Sequence, residues 1–235
     1  MQAVEDFIRL VESERDDQDR PLVTLTYAQS LDGSIATERG NTLALSGPKS
    51  LKITHRLRAM HEGILIGIGT VLSDDPSLTV RLVDGESPQP IILDSRLRFP
   101  TSAKLLKTTK RPWIFTGADA GETALRVLEN SGCKIFQINS TDRRTLSLPE
   151  VLNTLHTLGI NRLMVEGGAS VIRSFLTAGV VDVVVLTIAP LFIGGLKAVE
   201  ELISNSHSAS AFPRLSPVFV DKVGADILVW GQLSK

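Results

Sequence analysis

A series of short, continuously apolar runs spaced by amphipathic segments constrains this chain more than any other feature. Leu22-Val23-Thr24-Leu25-Thr26-Tyr27, Ile64-Leu65-Ile66-Gly67-Ile68, Pro90-Ile91-Ile92-Leu93-Asp94 and Pro112-Trp113-Ile114-Phe115-Thr116 each read as a strand. So do Lys134-Ile135-Phe136-Gln137-Ile138, Arg162-Leu163-Met164-Val165 and Val181–Ile188. Runs that stay apolar instead of alternating with polar residues belong to strands covered on both faces. Between them lie segments with helical spacing: Val4–Glu14, with Val4, Phe7, Ile8 and Val11 on one side, then Pro48–His61, Glu122–Ser131, Pro149–Leu158 and Ala169–Ala178. Ser46 or Gly47 can cap the helix that Pro48 opens, and Gly159 follows the one that Pro149 opens. The alternation predicts an α/β fold, a mostly parallel sheet with helices on both faces. Val218–Val223 and Ile227–Leu233, around Gly224-Ala225-Asp226, predict a C-terminal antiparallel hairpin. Thr37–Ser46 and Val83–Gln89 read as mobile loops.

The 235 residues suit one large domain, and no repeat or low-complexity tract divides them. Residues 1–20 read as an N-terminal helix and linker, with the mixed charges of Glu12–Arg20 solvated, and residues 21–235 as the main domain. Lys+Arg number 25 against 26 Asp+Glu, a net charge of −1. No basic field draws such a chain to nucleic acid or an anionic membrane. The lone Cys133 can form neither an intramolecular disulfide nor a thiolate metal site, which points to a reducing compartment, the cytoplasm. His55, His61, His156 and His207 make no HExxH, so no metal is expected. The acidic start, Met1 to Asp6, is not a signal peptide. Apolar stretches such as Val180–Leu186 fall far below the ~20 residues a membrane span needs.

In open α/β sheets ligands gather at the carboxyl ends of strands, where helix N-termini offer free N–H groups to phosphates. Three glycine-bearing segments fall at such ends: Gly67-Ile68-Gly69-Thr70, with Asp74-Asp75-Pro76 beyond it; Glu166-Gly167-Gly168-Ala169-Ser170; and Gly194-Gly195. None matches GxGxxG or a P-loop, and each glycine pair alone is as easily a plain turn. Their joint placement carries more. Ser30-Leu31-Asp32-Gly33 ends the first strand, where Asp32 is either the corner of an Asx turn or a ligand of a substrate amine or hydroxyl. Arg58 and Arg81 are candidates for an anionic substrate. His55 and His61 could move protons, but no GxSxG elbow or nucleophile pattern accompanies them. Trp113 and Trp230 read as core.

Together these segments resemble the pyrimidine reductases of the riboflavin pathway. The resemblance lies in Thr24–Ala36 around Ser30-Leu31-Asp32-Gly33, in Gly67–Leu78, in Ile92-Leu93-Asp94-Ser95-Arg96-Leu97-Arg98 and in Val165-Glu166-Gly167-Gly168, in order and spacing from about residue 20 onward. With no HxE…PCxxC deaminase motif, the chain looks like the stand-alone form. The resemblance implies a fold like dihydrofolate reductase, a homodimer, and reduction of a ribosylamino-pyrimidine 5′-phosphate to the ribitylamino compound by NADPH. It places Thr42, Gly69, Thr70, Asp74, Gly167, Gly168, Ala169 and Ser170 around the cofactor. Ser30, Asp32, Arg58, Leu78, Arg81 and Glu166 fall around the substrate, the two arginines on its phosphate. Catalytic roles for Asp32 and Glu166, easing ring opening or stabilising a protonated imine, follow from their charge. Two positions depart from the bacterial pattern: Thr26 stands where many members have lysine and Ala44 where many have tryptophan. Two alternatives stay open, a reductase of another heterocycle such as a pterin, and a non-catalytic nucleotide-binding module. The arginines and sparse aromatics favour a phosphorylated substrate over the first.

Overall fold

The computed structural model describes residues 2–16, 19–142, 145–200, 202 and 212–234, which leaves His207 outside the described residues. In chain order, α1 (Gln2–Glu14) leads to β1 (Leu22–Ser30), β2 (Ser34–Ala36), α2 (Pro48–Met60), β3 (Gly63–Gly67) and α3 (Ile68–Asp74). Next come β4 (Gln89–Leu93), β5 (Trp113–Gly117), α4 (Glu122–Asn130), β6 (Lys134–Ile138), β7 (Ser140–Asp142) and β8 (Thr145–Leu146). The last part runs α5 (Leu148–Thr157), β9 (Arg162–Gly167), α6 (Ala169–Ala178), β10 (Val183–Ala189), β11 (Leu196–Lys197), β12 (Arg214–Val223) and β13 (Asp226–Ser234).

The main sheet has the order β12-β13-β10-β1-β9-β3-β4-β5-β6. From β10 to β6 every pair is parallel. β13 runs antiparallel to β10, and β12 antiparallel to β13, which is the expected terminal hairpin. The apolar runs are apolar throughout because both faces are covered. On one face Val4, Phe7, Ile8 and Val11 of α1 and Ile53 and Leu57 of α2 pack on Leu22, Met164 and Val183. Further along that face Ile68, Val71 and Leu128 lie over Ile64, Ile66, Ile92 and Ile114. On the other face Val151, Leu152 and Leu155 of α5 and Val171, Ile172 and Phe175 of α6 cover Val23, Leu25, Leu65 and Val165. Truncating a fully buried side chain such as Phe175 to alanine should cost about 3–5 kcal/mol.

Three sequence expectations change. Ile68, expected to end a strand, opens α3 instead, because Ile68 and Val71 lie one turn apart and both are buried. The charges before β1 are not simply solvated: Arg20 grips Asp182 with two hydrogen bonds of 2.8 Å, and Asp182 also accepts the Val23 N–H. With α1 in the core, the N-terminal segment is built into the sheet domain. Gly47 caps α2 as expected, but the capping side chain comes from far along the chain. Asp226, buried at the start of β13, accepts hydrogen bonds from the Gly47 N–H and the Ser50 hydroxyl.

The chain steps from β3 to β6 toward one edge and from β9 to β10 toward the other. The carboxyl ends of β1, β9 and β3 therefore flank the point where winding reverses, the place where a sheet of this kind opens a crevice.

Candidate active site

β3 and β9 are neighbours, with Ile66 opposite Gly167 after a register shift that leaves Glu166 as the extra residue. Such bulges re-aim side chains beside functional sites. α3 starts directly after β3, and α6 one residue after β9, so two glycine turns come face to face. A Cβ built on Gly168 would lie 2.9 Å from Thr70 Oγ1, at a backbone φ of +20°. The Gly168 carbonyl accepts the Val171 and Ile172 N–H groups, while those of Ala169 and Ser170 precede the first acceptor that the helix itself provides. The α6 start thus presents N–H groups and a positive dipole end to an anion. A Cβ on Gly69 would meet nothing within 4 Å, so no protein contact requires glycine there. Thr42, far away in sequence, donates its hydroxyl to Asp74 at 2.8 Å. The structure thus joins both halves of the expected cofactor set.

On the other side of β9, Glu166 takes a side-on pair from Arg58 of α2, Nε to Oε1 and Nη2 to Oε2, both at 2.6 Å. The two side chains are only 14% and 11% exposed. Arg58 Nη1 donates to the Thr79 carbonyl at 3.1 Å, so each nitrogen of its fork has a protein partner. Burial pulls the Arg58 pKa down, but the Glu166 charge and hydrogen bonds outweigh it and hold it above its ordinary value. Arg58 is therefore not a free phosphate ligand. Arg81 is exposed, and among the described residues its guanidinium makes no ion pair. Its backbone N–H donates to Nδ1 of His55, one turn before Arg58 on α2, at 3.1 Å. Leu78, expected to meet the substrate, is instead buried in the core. Neither histidine is an exposed acid or base. Burial, with Arg58 and Arg81 nearby, lowers His55 to about 4. Burial likewise lowers His61 to about 4, and its ring is held between the Leu57 carbonyl and the Thr24 hydroxyl.

Asp32 differs most from expectation. Its Oδ1 accepts from the Ser30 hydroxyl (2.6 Å) and the Ile193 N–H (2.9 Å). Its Oδ2 accepts from the Ser34 hydroxyl (2.7 Å), the Gly194 N–H (2.9 Å) and Lys197 Nζ (2.6 Å). Lys197 foremost, then Ser30, the Ile193 N–H and Ser34, hold this carboxyl far below the usual carboxylate range. A carboxylate offers about four acceptor positions. Five donors from the chain already fill those of Asp32, so it is not positioned to accept from a substrate. The Gly194-Gly195 pair is likewise no phosphate cradle. A Cβ on Gly195 would collide with the carbonyls of Ala36 and Thr37, and β11 pairs with β2. Sequence reasoning missed Lys197 altogether. The available signal is that it is the only charged residue between Val183 and Val199.

No group of three or more His, Cys, Asp or Glu placed to hold a metal occurs among the described residues. Nor is any of their helices long and apolar enough to cross a membrane.

A mainly parallel sheet closed by an antiparallel C-terminal hairpin is the architecture of the dihydrofolate reductase fold. The chain aligns with dihydrofolate reductase from Enterococcus faecalis at a TM-score of 0.50 and 12% identity, over 92% of this chain and 97% of that one. More narrowly, residues 21–229 match the family described as RibD C-terminal domain, and the chain belongs to that family. It is 40% identical over 211 residues to riboflavin biosynthesis protein RibD of Bacillus amyloliquefaciens, covering 88% of this chain but 56% of that protein. To the 2,5-diamino-6-ribosylamino-4(3H)-pyrimidinone 5′-phosphate reductase of Archaeoglobus fulgidus it is 37% identical, covering 75% of this chain and 83% of that one. The solved riboflavin biosynthesis reductase Rib7 of Saccharomyces cerevisiae aligns at a TM-score of 0.74 and 26% identity, over 98% and 99% of the two chains.

Proposed function

We propose that this chain reduces the ribosyl side chain of a ribosylamino-pyrimidine 5′-phosphate to the ribitylamino compound in riboflavin biosynthesis, with NADPH as reductant. The substrate is 2,5-diamino-6-ribosylamino-4(3H)-pyrimidinone 5′-phosphate, the compound named for the Archaeoglobus relative, or its deaminated uracil analogue. The observation that carries the reading is the meeting of Gly168 with Thr70, which brings two glycine turns and a helix N-terminus together at the switch point. The open space beside Gly69, where a Cβ would meet nothing within 4 Å, and the free N–H groups that open α6 suit close approach of a dinucleotide pyrophosphate, so the residues present fit the cofactor. Gly167, Gly168, Ala169 and Ser170 hold the pyrophosphate, with Gly69 and Thr70 opposite, and the linked Thr42 and Asp74 hydrogen-bond its ribose side. When bound, the cofactor supplies a hydride to C1′ of the opened sugar.

The protein's part is to hold substrate and cofactor in line, which alone removes much of the barrier. Arg81 reads the 5′-phosphate, whereas Ser30, expected to contact the substrate, is fully buried with its hydroxyl turned into Asp32. Glu166, its charge compensated by Arg58, faces positive charge developing on the imine. The same reading carries NADPH over NADH and a homodimer, both supported by the resemblance of the motifs, and a cytoplasmic enzyme, supported by the lone Cys133. The test is to incubate the purified chain with NADPH and, separately, each of the two pyrimidines and a pterin, following nicotinamide absorbance and product mass. A gain of two hydrogens in product, matched to NADPH loss, is expected. NADPH binding without turnover would identify a nucleotide-binding module, and turnover with a pterin alone would identify a different reductase.

A further inference from the structure

The reaction as described leaves one buried imidazole without a task. His55 lies on α2 one turn before Arg58, and its side chain is fully buried. Its Nδ1 accepts the Arg81 N–H at 3.1 Å. A backbone N–H can only donate, so in the neutral ring the proton sits on Nε2. Among the described residues that Nε2 has no hydrogen-bond partner. A buried donor left unpaired costs about 1–3 kcal/mol, whereas the N–H that His55 accepts belongs to an exposed residue, which water can reach. For stability alone the imidazole is a poor choice. What its bond secures is the place of Arg81.

The run that carries Arg81 is held residue by residue. Leu78, at φ +52°, turns the chain through the left-handed region with its side chain buried. The Thr79 carbonyl accepts from Arg58 Nη1, the Val80 N–H donates to the Ser87 hydroxyl at 3.0 Å, and His55 takes the Arg81 N–H. Behind them Gly85 packs so close to α2 that a Cβ there would lie 2.6 Å from the Ala59 Cβ. Strain of the Leu78 kind, roughly 1–2 kcal/mol, persists only where the surroundings over-determine it, as they do in ligand clamps. The charges of Arg58, Arg81 and Glu166 all bear on His55, which places the exposed Arg81 on the Glu166 side of the crevice.

We infer that His55 is a positioning residue for substrate binding: by accepting the Arg81 N–H it fixes where the exposed Arg81 guanidinium stands at the crevice, and so how well it meets the substrate 5′-phosphate. The inference rests on the functional reading above. An arginine–phosphate bond depends on direction as well as charge, so the residue that sets the backbone beneath the guanidinium sets the strength of that bond. A histidine that only filled the core would change stability and leave the phosphate's share of binding intact.

The experiment compares the parent chain, His55→Leu, His55→Asn, His55→Gln, Arg81→Ala and the double variant His55→Leu/Arg81→Ala. Each is measured for melting temperature, for kcat, and for the dissociation constants of NADPH, the pyrimidine 5′-phosphate and its dephosphorylated form. His55→Leu, which has no acceptor, is expected to weaken the phosphorylated pyrimidine roughly 10-fold, and by no more than Arg81→Ala does, since a misplaced guanidinium forfeits at most the bond it makes. NADPH and the dephosphorylated form should stay within about twofold of the parent. His55→Asn should bind the phosphorylated form nearly as the parent does, because its amide oxygen can stand where Nδ1 stood. His55→Gln, whose amide falls nearer Nε2, should not, and this pair decides the matter if His55→Leu does not fold. In the double variant the leucine should add nothing to the loss from Arg81→Ala, as for residues acting as one unit. Parental binding in the Leu and Gln variants, equal losses with and without the phosphate, equal behaviour of Asn and Gln, or losses that add would each overturn the inference. So would Arg81→Ala with parental binding. A parent chain that reduces neither pyrimidine would overturn the functional reading itself, and this inference with it.

Discussion

Alanine at Gly168 is the sharpest perturbation of the proposed cofactor cradle. The new Cβ would stand 2.9 Å from Thr70 Oγ1, a separation real Cβ atoms essentially never show, so either the hydroxyl turns away or the start of α6 retreats. Positive φ adds strain of roughly 1–2 kcal/mol for any L side chain. Gly179, at the other end of the same helix, separates the two effects. Its φ is +63°, and a Cβ there would touch nothing within 4 Å. Gly179→Ala thus carries backbone strain without obstruction, whereas Gly168→Ala carries both. Losing one charge-assisted N–H bond to a pyrophosphate oxygen costs about 1.5–3 kcal/mol, which is roughly a 10- to 100-fold rise in the NADPH dissociation constant. Titration of both variants by NADPH fluorescence, with thermal melts alongside, makes the measurement. A larger melting loss in Gly168→Ala than in Gly179→Ala, and a cofactor defect in Gly168→Ala alone, are expected. Equal dissociation constants in the two variants would refute the cradle and return the glycine pair to a turn.

Arg81→Ala should weaken the phosphorylated pyrimidine by about 1.5–3 kcal/mol, the worth of a charge-assisted bond. NADPH affinity should stay at the parental value, and the same loss with a dephosphorylated substrate would remove Arg81 from the phosphate. Acid should destabilise the fold through His55 and His61, both lowered by burial to about 4 from an ordinary 6.5. Between those values the unfolded chain binds protons that the folded chain does not, so stability falls as pH drops, by about 1.4 kcal/mol per unit for each histidine. Urea titrations between about pH 7 and 5 should show a shallower slope in His61→Gln by about one proton, in line with the linkage relation. An unchanged slope would mean that His61 is not held neutral.

Most of the fold is legible in the sequence because strands buried on both faces leave a plain signature. Lys134–Ile138 and Ala169–Ala178 appear with the ends that their composition implies. The two residues of β11 and the three of β2 could not be read this way, since such short pairs are made by tertiary contact. The turns proposed to hold the cofactor were legible as turns for a related reason: a glycine at a strand-to-helix junction is a local signal, and Gly69, Gly167 and Gly168 each carry it. The polar network was not. Asp226 capping α2, His55 holding Arg81 and Lys197 holding Asp32 join residues between 26 and 179 positions apart. No spacing rule links them.

Asp32 and Glu166 look alike as sequence, two carboxylates beside glycine at strand ends, yet their surroundings divide the work. Asp32 has five protein donors on two oxygens, and its acceptor capacity is used up by its own loops. Glu166 has one Arg58 nitrogen on each oxygen, which leaves each a second lone pair. It is therefore Glu166 that can accept from a substrate hydroxyl or amine and stabilise a protonated imine. Glu166→Gln should lower kcat roughly 10- to 1000-fold, the range for lost electrostatic stabilisers. It also strands the Arg58 charge, and breaking a buried pair on one side costs about 3–5 kcal/mol, so the single variant mixes fold and chemistry. The double variant Arg58→Met/Glu166→Gln separates them, because removing both charges relieves the stranded one. Stability should return toward the parent while kcat stays low. If turnover returns together with stability, Glu166 serves only to balance Arg58, and the carboxylate that meets the imine lies elsewhere.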